Sequence, residues 1–405
     1  MGGKAVRSDF PRLREALPGI QSTLRELGLD GWLLYDLHAR NGVTAALTGV
    51  GDLSRRYFVL LPAEGEPHAL IHGIERGPWQ DWPWQSTVYV GWAPLREQLA
   101  GLVRGRRLAM EVSPEDAVPA LDLVPWGVVE LVRAVGAREI VASGDLVSRF
   151  YSAWSDEGLA SHRRSAATLA ETARAAFRLL AERTRAGSNM HEGELRDWVL
   201  ERLRSEGTGV GADCIVARTE NAANPHYGPE GRGAELREGD VVLLDLWGKE
   251  ADDAIYADQT WMGYLGQRVP ERVAELFAAI RDGRDAGVRF VQERWRDGED
   301  VLGHEVDDVV RGVIRERGLA DAFIHRTGHS IDRDTHGMGP NIDNLETQEL
   351  RRLIPGVGFS VEPGVYLTGD VGLRTEIDVY MGPDGPEVTT PRPQADVFPL
   401  LGEWS

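Results

Sequence analysis

Between Pro11 and Leu27 the apolar residues Leu13, Leu17, Ile20, Leu24 and Leu27 recur at the spacing of one helical face. Gly31-Trp32-Leu33-Leu34-Tyr35 then forms a short apolar run and predicts a buried strand. Tyr57 to Leu61, Ala69 to Ile71, Val88 to Val90 and Leu108 to Met110 predict further strands, so the first 160 residues read as alternating strands and helices. Trp79-Gln80-Asp81-Trp82-Pro83-Trp84 is dense in tryptophan, a composition suited to packing or an interface rather than catalysis. At Ser155-Asp156-Glu157-Gly158 the chain turns polar, and Ala166, Leu169, Ala173, Phe177 and Leu180 then mark a long helix. The pattern divides the chain into two domains, 1–160 and 161–405.

The second half repeats itself faintly. A shift of 111 residues carries Gly187 onto Gly298, Glu194 onto Glu305, Asp197 onto Asp308, Arg204 onto Arg315 and Gly207 onto Gly318. Both stretches read as helix, glycine stop, second helix, glycine stop, and both lead into strand-like runs. Two similar helix-plus-strand halves facing one another would leave a cleft suited to a site.

Four carboxylates interrupt the apolar runs of this half. Asp245 stands inside Val241-Val242-Leu243-Leu244-Asp245-Leu246-Trp247, and Asp258 inside Ile255 to Met262, which reads as the return strand of a hairpin. Glu362 lies within Phe359 to Leu367, with Pro363 predicting a bend. Glu376 lies within Leu373 to Tyr380, alternating with Arg374 and Asp378 on one face. An apolar strand does not tolerate a bare charge, so each needs a cation or a hydrogen-bond network. Between the two pairs, Phe323 to Gly337 gathers His325, His329 and His336. Asp245, Asp258, His329, Glu362 and Glu376 together match the charge of two divalent cations. Mostly oxygen ligands with one imidazole suit Mn²⁺, with Co²⁺ or Zn²⁺ as alternatives.

Charge and cysteine content narrow the function classes. A formal net charge of -19 opposes nucleic-acid binding, which needs a basic face, and opposes docking on anionic membranes. No segment approaches the length of a membrane span. The single cysteine, Cys214, rules out an internal disulfide framework. Met1 to Ser8 lacks a signal-peptide apolar run, and Val6 stands where a myristoylation motif wants Ser or Thr. The expected compartment is the cytoplasm.

These motifs, in this order, resemble the pita-bread metallopeptidases: methionine aminopeptidase, aminopeptidase P and prolidase. Asn41 to Gly49 is similar to a segment of the N-terminal creatinase-like domain that the last two carry. The resemblance implies an α+β protein, with a creatinase-like α/β domain followed by a pita-bread catalytic domain of pseudo-twofold repeats. It implies that Asp245 chelates one metal, that His329 and Glu362 hold the other, and that Asp258 and Glu376 bridge them. His226, in Asn224-Pro225-His226-Tyr227, matches a further active-site histidine, as do His325 and His336. Three departures stand out. The spacing from Asp245 to Asp258 is two residues longer than usual, Trp261 replaces the arginine after Thr260, and Gly337 replaces the acidic residue after His336.

The implied activity is hydrolysis of the Xaa-Pro bond, a tertiary amide without an N–H. Glu362 is expected to move the proton, His325 or His336 to stabilise the oxyanion, and Arg374 to brace the metal carboxylates. A dipeptidase needs a cation for the free carboxylate of proline. The resemblance implies that the Asp36 to Asn41 loop comes near an active site, often a neighbouring subunit's. Arg40 is therefore the candidate, with Asp36 to position it or close the cleft and His226 and His336 as further substrate contacts. Prolidase activity is the leading expectation, and an aminopeptidase P activity on longer peptides is the alternative. A homodimer is implied as well. A metal-free creatinase-like hydrolase or a binding module predicts a broken ligand set, yet all five residue types are present.

Overall fold

A computed structural model describes residues 10–404. The N-terminal reading of Met1 to Ser8 lies outside the described residues. Contacts divide the chain into two compact units, one ending at Tyr151 and the other starting at Ser152, a few residues ahead of the boundary read from the sequence.

In the first unit the predicted helical stripe becomes α1 (Pro11–Glu26), which buries Leu13, Ile20 and Leu24. It leads into β1 (Gly31–Asp36), α2 (Gly42–Thr48), β2 (Tyr57–Pro62), β3 (His68–His72) and β4 (Gln85–Tyr89). Then follow α3 (Trp92–Val103), β5 (Arg107–Met110), α4 (Trp126–Ala134), β6 (Glu139–Ala142) and the short α5 (Gly144–Val147). The strands form one mixed sheet in the order β4-β3-β2-β1-β5-β6. Every residue of the central β1 and β2 is buried, which explains their unbroken apolar runs. The tryptophan-rich segment is packing: Trp79 and Trp82 lie 5.3 Å apart, and the ring of Phe10 meets both.

The second unit opens with α6 (Asp156–Arg185), capped by the Ser155 hydroxyl, which accepts the Gly158 N–H at 3.1 Å. Next come α7 (Glu192–Ser205), β7 (Val210–Arg218), β8 (Val241–Lys249) and β9 (Ala257–Tyr264). The pattern recurs in α8 (Glu271–Arg296) and α9 (Gly303–Glu316), before β10 (Ser330–Ile331), β11 (Gly358–Val361), β12 (Gly364–Leu367), β13 (Val371–Arg374), β14 (Ile377–Gly382), β15 (Gly385–Val388) and β16 (Phe398–Pro399). The 111-residue shift maps the end of α6 onto the end of α8, and both ends of α7 onto both ends of α9. Glu194 and Glu305 each accept the backbone N–H three residues earlier, at 2.9 and 2.8 Å, so even the helix starts repeat.

One four-stranded sheet runs β16-β9-β8-β7 and a second runs β10-β11-β14-β15, while β12 and β13 form a two-stranded pair. Leu169, Phe177 and Val199 of the helices pack with Val216, Leu244 and Trp261 of the first sheet. Val288, Val291 and Val306 pack with Phe359 and Val379 of the second. Cys214 lies buried in β7. No helix among the described residues is long and apolar enough to cross a membrane.

Candidate metal centre

β8 and β9 pair antiparallel, with Asp245 opposite Thr260 and Trp247 opposite Asp258. The two aspartates are therefore diagonal neighbours on one face of the hairpin. Residues of the opposite parity, Leu244, Leu246 and Trp261, fill the helix-side core. Trp261 thus points away from the carboxylates, and its replacement of an arginine leaves this face unchanged. The longer turn is exposed at Asp252 and Asp253. The return strand begins at Ala257, so Ile255 and Tyr256, expected within it, belong to the connection.

The two glutamates stand between strands rather than inside them. Val361 pairs with Ile377 in one sheet, and Gly364 pairs with Arg374 in another. Glu362-Pro363 and Thr375-Glu376 occupy the gap where the hairpin changes sheets. Proline, lacking an N–H, fits such a break. Freed from the ladder, the Glu362 N–H donates to Thr327 O at 2.7 Å and the Thr375 N–H to Pro363 O at 3.2 Å. Arg374, Glu376 and Asp378 all reach the β8–β9 hairpin. The Thr260 hydroxyl donates to Glu376 Oε2 at 2.7 Å, and Asp378 Oδ2 accepts the Asp258 N–H at 3.1 Å. Arg374 donates to Asp245 and, through Nε, to Thr260 Oγ1 at 3.0 Å.

His329 enters from the loop before β10. Gly328 has no room for a side chain, because a Cβ there would strike the Ser360 carbonyl. The His329 Nδ1 faces Ser330 O at 3.1 Å, and a carbonyl only accepts, so the proton sits on Nδ1. Nε2 is left with a lone pair, 3.3 Å from Glu362 Oε1 and 3.7 Å from Asp258 Oδ2. Burial, with the nearby His336 and Arg326, pushes the His329 pKa well below its ordinary value.

The carboxyls shift the other way. Burial raises Asp245, although Arg374 opposes the shift. Burial and neighbouring acids raise Asp258 and Glu376 much further. Burial works against the Arg374 charge, but Asp245, Tyr366 and the glutamates outweigh it. Asp245 Oδ1 and Asp258 Oδ1 are buried without a hydrogen-bond partner among the described residues. Ligand atoms of Asp258, His329 and Glu376 all lie within 4.8 Å of one another. Unpartnered carboxyl oxygens facing an imidazole lone pair fit divalent cations with hard oxygen ligands and one nitrogen, whose charge would favour the ionised carboxylates.

A cavity of about 650 Å³ opens above this group. All five expected ligands line it, with His226, His325, His336 and Arg374. His226 and His336 are exposed at its rim. His325 is fully engaged: its Nδ1 donates to Arg326 O at 2.7 Å, and its Nε2 accepts the Tyr366 hydroxyl at 2.8 Å. Burial holds its pKa at about 4.

Asp36 holds its own turn. It is wholly buried in the first unit, and its two oxygens accept the Ala39 and Asn41 N–H groups at 3.1 and 3.0 Å. These bonds hold a turn in which His38 and Ala39 are both left-handed, at φ 60 and 51. Arg40 is exposed on that turn. Sequence reading missed Arg326, which lines the cavity between two of the histidines and makes no ion pair among the described residues. A cation inside a histidine loop was the signal for it. Ile215 and Trp247 were also missed; Ile215 pairs with Asp245 across β7, and Trp247 shares the Asp245 parity.

Residues 161–383 match the model of metallopeptidase family M24. The chain is 30% identical over 397 residues to a probable dipeptidase PepE of Mycobacterium tuberculosis, covering 95% of this chain and 96% of the relative. The crystal structure of dipeptidase PepE from Mycobacterium ulcerans superposes with a TM-score of 0.73 at 21% identity, covering 97% of this chain and 100% of that one. A Xaa-Pro dipeptidase from Bacillus anthracis superposes with a TM-score of 0.64 at 19% identity, covering 95% and 99%. The shared architecture is the pita-bread fold.

Proposed function

The chain belongs to metallopeptidase family M24, and on that premise we propose that it hydrolyses the Xaa-Pro bond of dipeptides with two divalent cations. The observation that carries the reading is the meeting of Asp258, His329 and Glu376 acceptor atoms within 4.8 Å, beside the unpartnered Asp245 Oδ1. Asp245, Asp258, His329, Glu362 and Glu376 would hold the cations, Mn²⁺ foremost, with Co²⁺ or Zn²⁺ as alternatives. When bound, such ions supply Lewis acidity, making a nucleophile of water near neutral pH and polarising a carbonyl.

Glu362 is the most exposed of the carboxylates, with 13% of its side chain open, and it moves the proton from water to the leaving nitrogen. The Ser360 hydroxyl donates to it at 3.2 Å and holds it in place. His336 meets the carbonyl oxygen, since its ring nitrogens have no hydrogen-bond partner among the described residues. His325 has both nitrogens engaged and serves to position the loop. His226 contacts substrate from the rim, and Arg374 braces Asp245. Arg326 takes the proline carboxylate in preference to Arg40, because its guanidinium, without an ion pair among the described residues, lines the same cavity as the metal carboxylates.

The test is a series of Xaa-Pro dipeptides and Xaa-Pro-Xaa tripeptides, assayed with Mn²⁺, Co²⁺ and Zn²⁺ in turn. Faster cleavage of the tripeptides supports the alternative, an aminopeptidase P activity. Arg326→Ala should raise the dipeptide KM about tenfold or more, while Arg40→Ala leaves it unchanged. Metal analysis should give about two ions per chain. A chain that takes up no metal and hydrolyses nothing is a binding module on the same fold. A cytoplasmic homodimer completes the proposal, with sedimentation testing the oligomeric state.

A further inference from the structure

Lys249 closes β8 with its side chain turned inward, leaving the residue only 6% exposed. A buried ammonium ordinarily faces a carboxylate. Among the described residues Lys249 forms no ion pair; its Nζ donates instead to the carbonyls of Asp252 at 2.7 Å and Arg333 at 2.6 Å. The Tyr256 ring covers the ammonium at 4.6 Å. The first carbonyl belongs to the lengthened β8–β9 turn, whose strands carry Asp245 and Asp258. The second belongs to the loop that carries His336.

Other bonds fasten the same loop. The Tyr256 N–H donates to Asp332 O at 3.0 Å. The buried Asp332 carboxylate accepts the Asp334 N–H at 2.9 Å and the Met338 N–H at 3.0 Å, closing the loop on itself. That carboxylate fills the space beside residue 337, where a Cβ would lie 2.7 Å from Asp332 Cγ, so glycine is required there. The His336 ring meets the His329 ring edge-on at 4.4 Å, and its nitrogens have no hydrogen-bond partner among the described residues. Its place over the cavity is therefore inherited from its backbone.

We propose that Lys249 is a positioning residue that ties the His336 loop to the hairpin bearing Asp245 and Asp258. The proposal rests on the peptidase reading, in which His336 meets the substrate, and adds to it the group that fixes this histidine. Lys249→Met keeps the apolar stem and removes the donors. In hydrogen exchange on the metal-loaded protein, amides of residues 332–338 should exchange at least about tenfold faster in Lys249→Met than in wild type, and residues 241–247 should not change. With Ala-Pro as the probe, kcat/KM should fall about tenfold at unchanged metal content, and Lys249→Arg should recover part of it. His336→Ala should lower kcat/KM in wild type but add nothing in the Lys249→Met background. Unchanged exchange at 332–338, or additive losses in the double variant, overturns the proposal. If Lys249→Met does not fold, Lys249→Arg carries the exchange comparison, with 332–338 exchanging faster than in wild type in support and unchanged exchange against. A wild type that cleaves no Xaa-Pro substrate sinks the peptidase reading alone, because the exchange result still decides the tie.

Discussion

Asp378 is wholly enclosed, yet it holds a wall of the site. Its Oδ2 accepts the backbone N–H of Asp258, and His162 Nε2 lies 3.7 Å away. Removing that acceptor frees the β9 backbone where a cation ligand departs from it. Asp378→Ala is expected to weaken Mn²⁺ binding roughly 10–100-fold, read by competition with a chelator. Arg374 makes a comparable demand on shape: one guanidinium spans Asp245 and Thr260. A lysine there cannot make both contacts, so Arg374→Lys should lower kcat about tenfold or more in steady-state assays. At this scale the chain was readable where residue type and local frame agreed, as for Asp245 in its apolar strand. It was silent on the local bonding of Asp36, since a carboxylate beside an arginine looks the same whatever its own turn asks of it. The bonded N–H groups of Ala39 and Asn41 emerge only in the fold.

Among the elements, the loop bearing His226 depends on a helix that never enters the cavity lining. Glu192, at the start of α7, is fully buried and accepts four bonds: from Arg218 N at 2.9 Å, Asn221 Nδ2 at 2.8 Å, Tyr227 Oη at 2.7 Å and Ala234 N at 2.8 Å. Glu192→Gln keeps the shape but turns one acceptor into a donor that faces donors. The expected cost is about 1–3 kcal/mol in urea unfolding, together with a raised KM as the 219–234 loop loosens. Alternation revealed β8 and β9 but concealed the split of the second hairpin. The inward-outward rhythm of Arg374, Glu376 and Asp378 continues across the break, and periodicity records side-chain faces rather than strand partners. Pro363 was the one visible sign of it.

For the whole molecule, stability and metal content are coupled through opposing titrations. In chelator-stripped protein, burial raises the folded-state pKa of Asp245, Asp258 and Glu376. The folded chain then binds more protons than the unfolded one. This contribution is complete below about pH 4 and is lost as pH climbs through the raised values. His162 and His325, held by burial at about 4, act in reverse. Their contribution is complete above about pH 6.5 and is lost as pH falls toward 4. Divalent ions remove the alkaline loss by binding the ionised carboxylates. Chelation should therefore lower the Tm more at pH 8 than at pH 5 in calorimetry, with about 3 kcal/mol at stake for an ion at a hundredfold excess over its Kd. The 111-residue repeat was visible at this scale because caps and glycine stops survive in sequence. The sheet order within each unit was not, since it depends on pairings that no local pattern encodes.

Cys214 gives this architecture a built-in clock. It is the only thiol in 405 residues, and burial, with Asp245 and Asp213 nearby, holds it far from ionisation. Only a thiolate reacts with an alkylating reagent. Each chain can thus be tagged once, and only after β7, the strand that also brings Ile215 to the cavity, has lifted away from its neighbours. The tagging half-life, followed by intact mass, times the opening of the cavity wall, and any ion or peptide that fastens the site should lengthen it.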